Sequence, residues 1–257
     1  MFRLFLRFSN FLISLVLILF ICLSGSYAAY ALWDNNRVYS AAENVQADML
    51  RLKPTDDGQQ APTFQELQAI NPDVCAWVSL DNTKIDHPVL QGKDNMSYIN
   101  TDVYGNFALA GSIFLDSRNA RDFTDTYSLL YGHHMENSQM FGDLDLYKDA
   151  DFFRENSTGL LMVPNGSYDL EIFACMLVNA SDDYIFEPDS WQADISRLLD
   201  YIEENALYVR QELVDSMEQD EQCRILALST CASEFSDART IVLANMKPRQ
   251  IAVQEDA

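Results

Sequence analysis

Two apolar stretches near the C-terminus, CRILALSTC at residues 223–231 and RTIVLANM at residues 239–246, carry the strongest structural signal in the chain. Short runs rich in Ile, Leu and Val that are bounded by turn residues are typical of strands buried on both faces. We therefore predict that each stretch is a strand and that a short loop joins the two. Cys231 then lies at the end of the first strand, and Arg239 lies at the start of the second.

Six further runs earlier in the chain are also short, apolar or alternating, and bounded by turn residues. The eight predicted strands cover residues 74–79, 84–90, 111–115, 127–131, 159–163, 168–178, 223–229 and 240–246. Asp81-Asn82 and Asn165-Gly166 are good hairpin turns between neighbouring runs. Because few helices separate the strands, the pattern favours a closed or sandwich-like β architecture over a sheet of alternating strands and helices.

Apolar residues at helical spacing predict two longer helices. One covers residues 36–53, and the other is an insertion over residues 188–214 that keeps an apolar face for packing against the core. Thr63 and Glu66 form a capping-box pattern that opens a short helix. Another short helix is predicted over residues 139–147.

The N-terminal segment differs in composition from the rest of the chain. Arg3 and Arg7 precede an uncharged, mainly apolar stretch at residues 11–33, which is long enough to cross a bilayer as a helix. The positive-inside rule places the N-terminus in the cytoplasm and the body outside. A signal peptide cleaved after the small residues at 24–29 is the alternative, and either form exports the body. We favour an uncleaved anchor because the uncharged stretch continues past that site.

Charge excludes one large class of partners. The chain has 17 Lys and Arg residues against 39 Asp and Glu residues, which gives a formal net charge of −22. Nucleic acid is therefore not an expected partner, because binding a polyanion requires a basic face. With 48% hydrophobic residues, the body can bury a proper core.

The cysteines indicate neither a disulfide framework nor a metal site. Three of them sit inside predicted strands, where a thiol behaves as a small buried hydrophobic group: Cys75, Cys175 and Cys223. Cys22 lies in the apolar leader. There is no Cys-x-x-Cys pair, and the only clustered histidines are His133-His134, so we predict no metal and no other cofactor.

Cys231 is the candidate nucleophile, because a side chain at the end of a buried strand can emerge at a rim. Thiol catalysis needs a group that manages protons, and His133 lies at the end of the strand predicted over 127–131. A cationic donor such as Arg239 can stabilise the oxyanion that forms when the thiolate attacks an acyl carbon. The alternative role for Arg239 is a surface ion pair with Asp237 or Glu234.

At these residues the sequence resembles the sortases, and most closely those of class B. The run LSTC at 228–231 followed by Arg239 is similar to the signature of the family, in which a strand end supplies the nucleophile and the next strand an arginine. YGHHM at 131–135, with MFGDL at 140–144, resembles the histidine segment of class B. Further similar stretches occur in the order of that class, and together they cover most of residues 64–246: NPDVCAW at 71–77, DHPVLQGKDN at 86–95 and AGSIFLD at 110–116.

The resemblance implies an eight-stranded sortase-type β-barrel with N-terminal helices and a long helix between strands 6 and 7. It implies three segments: a cytoplasmic N-terminus and transmembrane signal anchor at 1–33, a juxtamembrane helix and linker at 34–62, and the catalytic domain at 63–257. The enzyme would be a membrane-bound cysteine transpeptidase, in a single-pass topology, with its catalytic domain outside the cytoplasm of a Gram-positive cell.

The resemblance also implies roles for individual residues. Cys231 would form a thioester with a cleaved sorting signal, His133 would act as acid and base, and Arg239 would hold the substrate and the oxyanion. His133 is preferred to His134, which replaces an Asn of the family, because it directly follows Tyr-Gly. Implied substrate-groove residues are Asn95, Ile99, Tyr184, Ile185 and Ser229. At position 87 a His replaces the usual Tyr, and we interpret it as a packing residue.

Three functions remain open at this stage. The first expectation is transfer of a sorting-signal-bearing surface protein, through an Asn-Pro-x-Thr type signal, to an amine of a peptidoglycan precursor. The second is polymerisation of pilins through a lysine amine. The third, from a different class, is a non-catalytic extracellular binding barrel in which Cys231 is buried.

Overall fold

The computed structural model describes residues 2–55, 63–191, 195–220, 222–231 and 238–249, apart from the side chains of Phe2, Leu4 and Cys231. The predicted linker residues 56–62 lie outside the described part. Backbone contacts divide the chain into two units, Met1–Ala41 and Ala42–Ala257.

The N-terminal unit is helical. Helix α1 spans Phe2–Leu50 and so includes both the predicted anchor and most of the predicted helix at 36–53. The segment Phe5–Leu50 is the one described helix long and apolar enough to cross a membrane, and none of its most apolar window is buried. Pro54 is the first proline in the sequence and follows shortly after Leu50, so no proline interrupts the helix.

Ten strands are described in the second unit. They are β1 (Val74–Leu80), β2 (Asp86–Leu90), β3 (Ile113–Leu115), β4 (Tyr127–Met135), β5 (Gln139–Met140), β6 (Thr158–Val163), β7 (Gly166–Asn179), β8 (Tyr208–Val209), β9 (Ile225–Cys231) and β10 (Ala238–Pro248). All eight predicted strands are present, with shifted ends, and β5 and β8 are two-residue additions.

Eight of these strands form a closed barrel. Their order is β10-β9-β4-β3-β2-β1-β6-β7, and pairing of β7 with β10 closes the ring. The β2–β3 and β4–β9 pairs are parallel, whereas the other pairs of the ring are antiparallel. The predicted eight-stranded barrel is therefore confirmed.

Alternation along the strands divides the core between the inside and the outside of the barrel. One buried cluster takes side chains from all eight barrel strands, among them Leu226 and Leu228 of β9, and so fills the interior. Ile225 and Ala227, which alternate with them, belong to a second cluster that the helices after β7 cover. Both faces of β9 are buried for this reason, which explains its unbroken apolar sequence.

The helical insertion lies in the predicted gap, between the sixth and seventh barrel strands, but it is not one long helix. Its elements are α4 (Asp183–Phe186), a 3-10 helix (Pro188–Trp191), α5 (Ser196–Asn205) and α6 (Gln211–Met217). The chain leaves the helix after α5 because Tyr208 and Val209 pair with β7 as strand β8. The side chain of Arg210 then donates a hydrogen bond to the Ile172 carbonyl at 2.9 Å. The predicted packing role holds, since the apolar faces of α5 and α6 are buried in the second cluster.

Three short helical segments complete the unit, and one of them is α3 (Ala150–Glu155). Helix α2 (Phe64–Ile70) begins with the predicted capping box of Thr63 and Glu66. The helix predicted over 139–147 is instead strand β5 followed by a 3-10 helix (Gly142–Lys148). Left-handed backbone at Met140, with φ of 53°, prevents a right-handed helix from starting there.

His87 lies in β2 and is 5% exposed, as expected of a packing residue. Burial lowers its pKa from 6.5 to about 4, although the neighbouring Asp86 opposes the shift. The folded protein therefore keeps this ring neutral at pH values where the unfolded chain binds a proton.

We expect His87 to make the protein less stable in weak acid. Because the unfolded chain binds the extra proton, the free energy of unfolding should fall by about 2 to 3 kcal/mol from this group alone between pH 7 and pH 4.5. Urea unfolding of the protein and of a His87→Phe variant at both pH values measures this, since the carboxylates common to both cancel. An equal loss of stability in the two proteins would contradict the expectation.

Candidate active site

Strands β4 and β9 bring the predicted histidine and cysteine together. They pair in parallel from Tyr127 opposite Ile225 to His133 opposite Cys231, without a change of register. Residues almost a hundred positions apart in the sequence therefore become neighbours at the ends of adjacent strands. The backbone of Cys231 is described as the last residue of β9, and its side chain lies outside the described part.

The ring of His133 is half-buried and held on one side by a backbone carbonyl. Its Nε2 lies 2.7 Å from the carbonyl oxygen of Ile99. The preceding Gly132 is closely packed against two other side chains, because a Cβ there would lie 2.4 Å from Ile113 Cδ1 and 2.7 Å from Phe141. The glycine of the Tyr-Gly-His segment is thus required by close packing against Ile113 and Phe141.

His134 makes contacts with a different part of the protein. Its Nε2 lies 3.2 Å from Asp145 Oδ2, on the 3-10 helix that follows β5. Consecutive residues of a strand point to opposite faces, which agrees with the separate surroundings of the two histidines. The sequence alone could not identify the residue that His134 contacts.

The side chain of Arg239 is hydrogen-bonded to Thr230, the residue before the cysteine. Its Nη1 donates a hydrogen bond to the carbonyl oxygen of Thr230 at 3.1 Å, between the start of β10 and the end of β9. Its Nε is buried and has no hydrogen-bond partner among the described residues. Both acidic residues considered as alternative ion-pair partners, Glu234 and Asp237, lie outside the described part.

Three of the five predicted groove residues are within reach of solvent. Ile99 is the residue whose carbonyl contacts the ring of His133. Asn95 donates to Asp116 at 2.9 Å and accepts from the backbone N–H of Ser117 at 2.7 Å. Tyr184 is exposed and stacks on Tyr201 with the ring centroids 4.2 Å apart.

The other two predicted groove residues are fully buried. Ser229 is 0% exposed, and its hydroxyl donates to the carbonyl of Thr230 at 3.1 Å. Ile185 is also 0% exposed and packs in the cluster beneath the helical insertion. Its carbonyl accepts a hydrogen bond from the hydroxyl of Tyr127 at 3.0 Å.

A polar junction that the sequence reasoning missed joins two loops near Asn95. The carboxylate of Asp116 has no exposed side-chain surface and accepts hydrogen bonds from Asn95, Arg118 and Tyr131. Burial opposes its ionisation, but the hydrogen bonds from Arg118 and Asn95 hold the pKa of Asp116 below its usual value. Arg118 also contacts Glu187 at 2.6 Å, so the junction connects the loop after β3 to the start of the helical insertion. In the sequence, the only sign of this junction was an Asp-x-Arg pattern, Asp116 and Arg118, directly after a short predicted strand.

The remaining body cysteines are confirmed as buried. Cys75, Cys175 and Cys223 are each at most 5% exposed and free of disulfides. Burial raises the pKa of Cys75 and Cys175 to about 12 and that of Cys223 to about 11. These thiols are protonated at neutral pH and are poor nucleophiles. In the described part of the chain, no group of three His, Cys, Asp or Glu side chains could hold a metal ion.

The known proteins that resemble this chain in sequence and in structure are described as class B sortases or as similar to them. A Sortase B of Listeria monocytogenes is 30% identical over 213 residues, which are 82% of this chain and 85% of that protein. A crystal structure of a Streptococcus pyogenes class B sortase involved in pilus biogenesis matches with a TM-score of 0.65 and 35% identity, over 72% of this chain and 97% of that chain. A Bacillus anthracis protein similar to sortase B matches with a TM-score of 0.66 and 30% identity, over 85% of this chain and 98% of that one. No protein-family model matches the sequence.

The closed barrel and these relatives define the protein as a sortase, which is a cysteine transpeptidase. Within the sortases, the chain belongs to class B, as its relatives and its structural neighbours do. The alternative of a non-catalytic binding barrel has no support among them.

Proposed function

We propose that this class B sortase is anchored in the membrane, cleaves a C-terminal sorting signal and transfers the cleaved surface protein to an amine of peptidoglycan. One observation carries the proposal. The register of β4 and β9 pairs His133 with Cys231, and Arg239 donates to the carbonyl of the residue just before that cysteine. A nucleophile, a proton carrier and a fixed cation therefore start from adjacent backbone positions.

In the first half of the reaction, the thiolate sulfur of Cys231 attacks the carbonyl carbon of the scissile peptide bond. The C–N bond breaks as His133 gives a proton to the leaving amine, and a thioester remains on Cys231. In the second half, an incoming amine attacks the thioester carbonyl and gives a proton to His133. The thiolate then leaves, so that the enzyme returns to its starting state without a metal or organic cofactor.

Arg239 is suited to hold the negative oxygen of the tetrahedral intermediate. One arm of the guanidinium is fixed by the carbonyl of Thr230, and its buried Nε has no partner in the described part of the protein. A buried donor without a partner is costly, so a group that accepts from it on binding would gain that energy. A carbonyl oxygen that becomes an oxyanion is such an acceptor.

Replacing Arg239 with lysine should therefore slow cleavage severely. An ammonium group cannot contact Thr230 and an oxyanion with a planar fork, so we expect kcat for a sorting-signal peptide to fall by about 100-fold or more. Arg224→Lys is a matched control, because Arg224 lies before the other end of β9 and donates to the hydroxyl of Tyr168. Near-normal turnover of Arg239→Lys would assign Arg239 a purely structural role.

The proposed groove residues divide by exposure. Asn95, Ile99 and Tyr184 can contact a peptide directly, because each is at least partly exposed. Ser229 and Ile185 are buried, so we expect them to shape the floor of the groove rather than to touch the substrate.

The apolar part of α1 supports the membrane location. Its hydropathy and length suit a bilayer span, and Arg3 and Arg7 before it favour a cytoplasmic N-terminus. The acidic body would then work on the outer face of the membrane. We propose residues 1–33 as the anchor, residues 34–62 as the juxtamembrane helix and linker, and residues 63–257 as the catalytic domain.

Pilin polymerisation is the second candidate function. One observation favours it: the Streptococcus pyogenes neighbour, with 35% identity, is a class B sortase involved in pilus biogenesis. The two functions share the thioester and differ in the amine that resolves it, which is a peptidoglycan amine in one and a lysine side chain in the other.

An assay with sorting-signal peptides tests the proposal and separates the two candidates. The full-length protein in detergent is incubated with Asn-Pro-x-Thr peptides and with scrambled versions, alone, with a peptidoglycan-type amine or with a lysine-containing pilin peptide. We expect sequence-dependent cleavage and an amide product with the first amine, detected by mass spectrometry. A product with the lysine peptide only would favour pilin polymerisation, and no cleavage of any peptide would overturn the proposed function.

A further inference from the structure

Asp145 binds two strands at once through a single carboxylate. It lies on the 3-10 helix after β5, and its Oδ1 accepts a hydrogen bond from the hydroxyl of Thr240 in β10 at 2.6 Å. Its Oδ2 lies 3.2 Å from His134 Nε2 in β4 and 2.8 Å from the Nζ of Lys148. The two oxygens therefore have different partners on different elements.

Both strand partners of Asp145 are sequence neighbours of proposed catalytic residues. His134 directly follows His133, and Thr240 directly follows Arg239. The carboxylate thus fixes one position in β4 beside the proposed acid and base, and one position in β10 beside the proposed oxyanion donor.

Further hydrogen bonds connect Thr240 and Arg239 to the segment that carries Cys231, the third proposed catalytic residue. The backbone N–H of Thr240 donates to the hydroxyl oxygen of Thr230 at 3.2 Å, and the guanidinium of Arg239 donates to the carbonyl of Thr230 at 3.1 Å. Thr230 directly precedes Cys231. A continuous set of hydrogen bonds therefore runs from Asp145 through Thr240 to the residue before the nucleophile.

Asp145 is suited to this task because it remains charged. Partial burial opposes ionisation, but hydrogen bonds from Lys148 and Thr240 hold the pKa of Asp145 below its ordinary value. Hydrogen bonds to a carboxylate are shorter and stronger than those between neutral groups, and so define the position of their donors more closely. Thr240 is itself 5% exposed, so water does not compete freely for its hydroxyl.

We propose that Asp145 is a positioning residue for transpeptidation, which holds the start of β10 against the end of β4 and thereby keeps the guanidinium of Arg239 at the Thr230 carbonyl. The inference rests on the proposed function, because it takes Arg239 and His133 as catalytic residues. Asp145 would act through Thr240 and His134 rather than on the reacting atoms themselves.

Five variants of the full-length protein test this inference, and one of them is the double variant that combines Asp145→Ala with Thr240→Val. Asp145→Ala removes the carboxylate. Thr240→Val removes the hydroxyl that donates a hydrogen bond to this carboxylate and keeps the size of the side chain. Thr240→Ser restores that hydroxyl. Asp151→Ala is the control for loss of an exposed carboxylate, since Asp151 pairs with Arg154 on the surface of α3. For each variant, kcat and KM for a sorting-signal peptide and the melting temperature are measured.

We expect Asp145→Ala and Thr240→Val each to lower kcat by about tenfold or more with little change in KM, because a small misplacement of a catalytic group is enough to slow the chemistry. The double variant should lose no more than Asp145→Ala alone, since Asp145→Ala already removes the acceptor of the Thr240 hydroxyl. Thr240→Ser and Asp151→Ala should have nearly the kcat of the unmodified protein.

Three results would overturn the inference. These are an Asp145→Ala variant as active as Asp151→Ala, a Thr240→Val variant as active as Thr240→Ser, and losses in the double variant that multiply. If Asp145→Ala does not fold, the comparison of Thr240→Val with Thr240→Ser decides. An unmodified protein that cleaves no peptide would overturn the proposed function instead, so the two failures are distinguishable.

Discussion

Replacing Cys231 with alanine is expected to abolish cleavage of a sorting-signal peptide while leaving the fold intact. The sulfur of Cys231 would be the only atom of the enzyme that forms a covalent bond with the substrate. Its loss should therefore reduce kcat by about four orders of magnitude or more. Cys231 is the last residue of β9. The residues of β9 that fill the barrel core, Leu226 and Leu228, precede it. We therefore expect the melting temperature to change little. Peptide cleavage measured by chromatography, with thermal unfolding of the same sample, gives both values.

Cys223→Ala provides a matched control for this experiment. Cys223 is buried, and burial raises the pKa of its thiol to about 11, so it should contribute packing but no nucleophile. This variant should lose some stability and keep its turnover number. Cleavage retained by Cys231→Ala, or lost equally in Cys223→Ala, would contradict the proposed mechanism.

The second large effect is expected for His133→Ala. Without a group that protonates the leaving amine and deprotonates the incoming one, kcat should fall by about 100-fold to 10,000-fold, the usual contribution of general acid and base catalysis. The register of His133 with Cys231 is the physical reason for choosing this ring. Steady-state cleavage of a sorting-signal peptide measures the loss.

His134→Ala is the control, because the two histidines are adjacent in the sequence but contact different surroundings. His134 pairs with Asp145, and the Thr240 and Lys148 contacts of that carboxylate remain in the variant. Because His134 is one of the two strand contacts of Asp145, we expect kcat to fall by at most about tenfold, far less than in His133→Ala. Equal losses in the two variants, or a larger loss in His134→Ala, would reverse the assignment.

Much of the barrel could be predicted from local sequence because its strands are buried on both faces. The residues of β9 alternate between the barrel interior and the cluster under the helices, so that a continuous apolar run marks it. The helical insertion was harder to predict, because the pairing of Tyr208 and Val209 with β7 depends on tertiary contacts that helical periodicity does not contain. The left-handed residue Met140 is a similar case, because turn geometry there overrides the helical pattern.

The three proposed catalytic residues could be identified in advance because each lies at a strand end within a recognisable motif. Asp145 could not, since it meets Thr240 across 95 positions of sequence. The junction at Asp116 was missed for the same reason, because its partners come from three separate segments. Polar contacts between distant segments carry no periodic signal, and only the folded chain brings them together.

The position of β10 in the barrel has a consequence for how the protein matures. This strand is the last described element of the chain, yet it pairs with β9 on one side and β7 on the other and also carries Arg239. A growing chain therefore has neither a closed barrel nor its proposed oxyanion donor until the residues of β10 have been synthesised. Such long-range pairing is slow to form, so assembly of the final strand is expected to limit the rate of folding. An incomplete chain would thus be protected from premature reaction with substrate, because folding and activation would end in the same step.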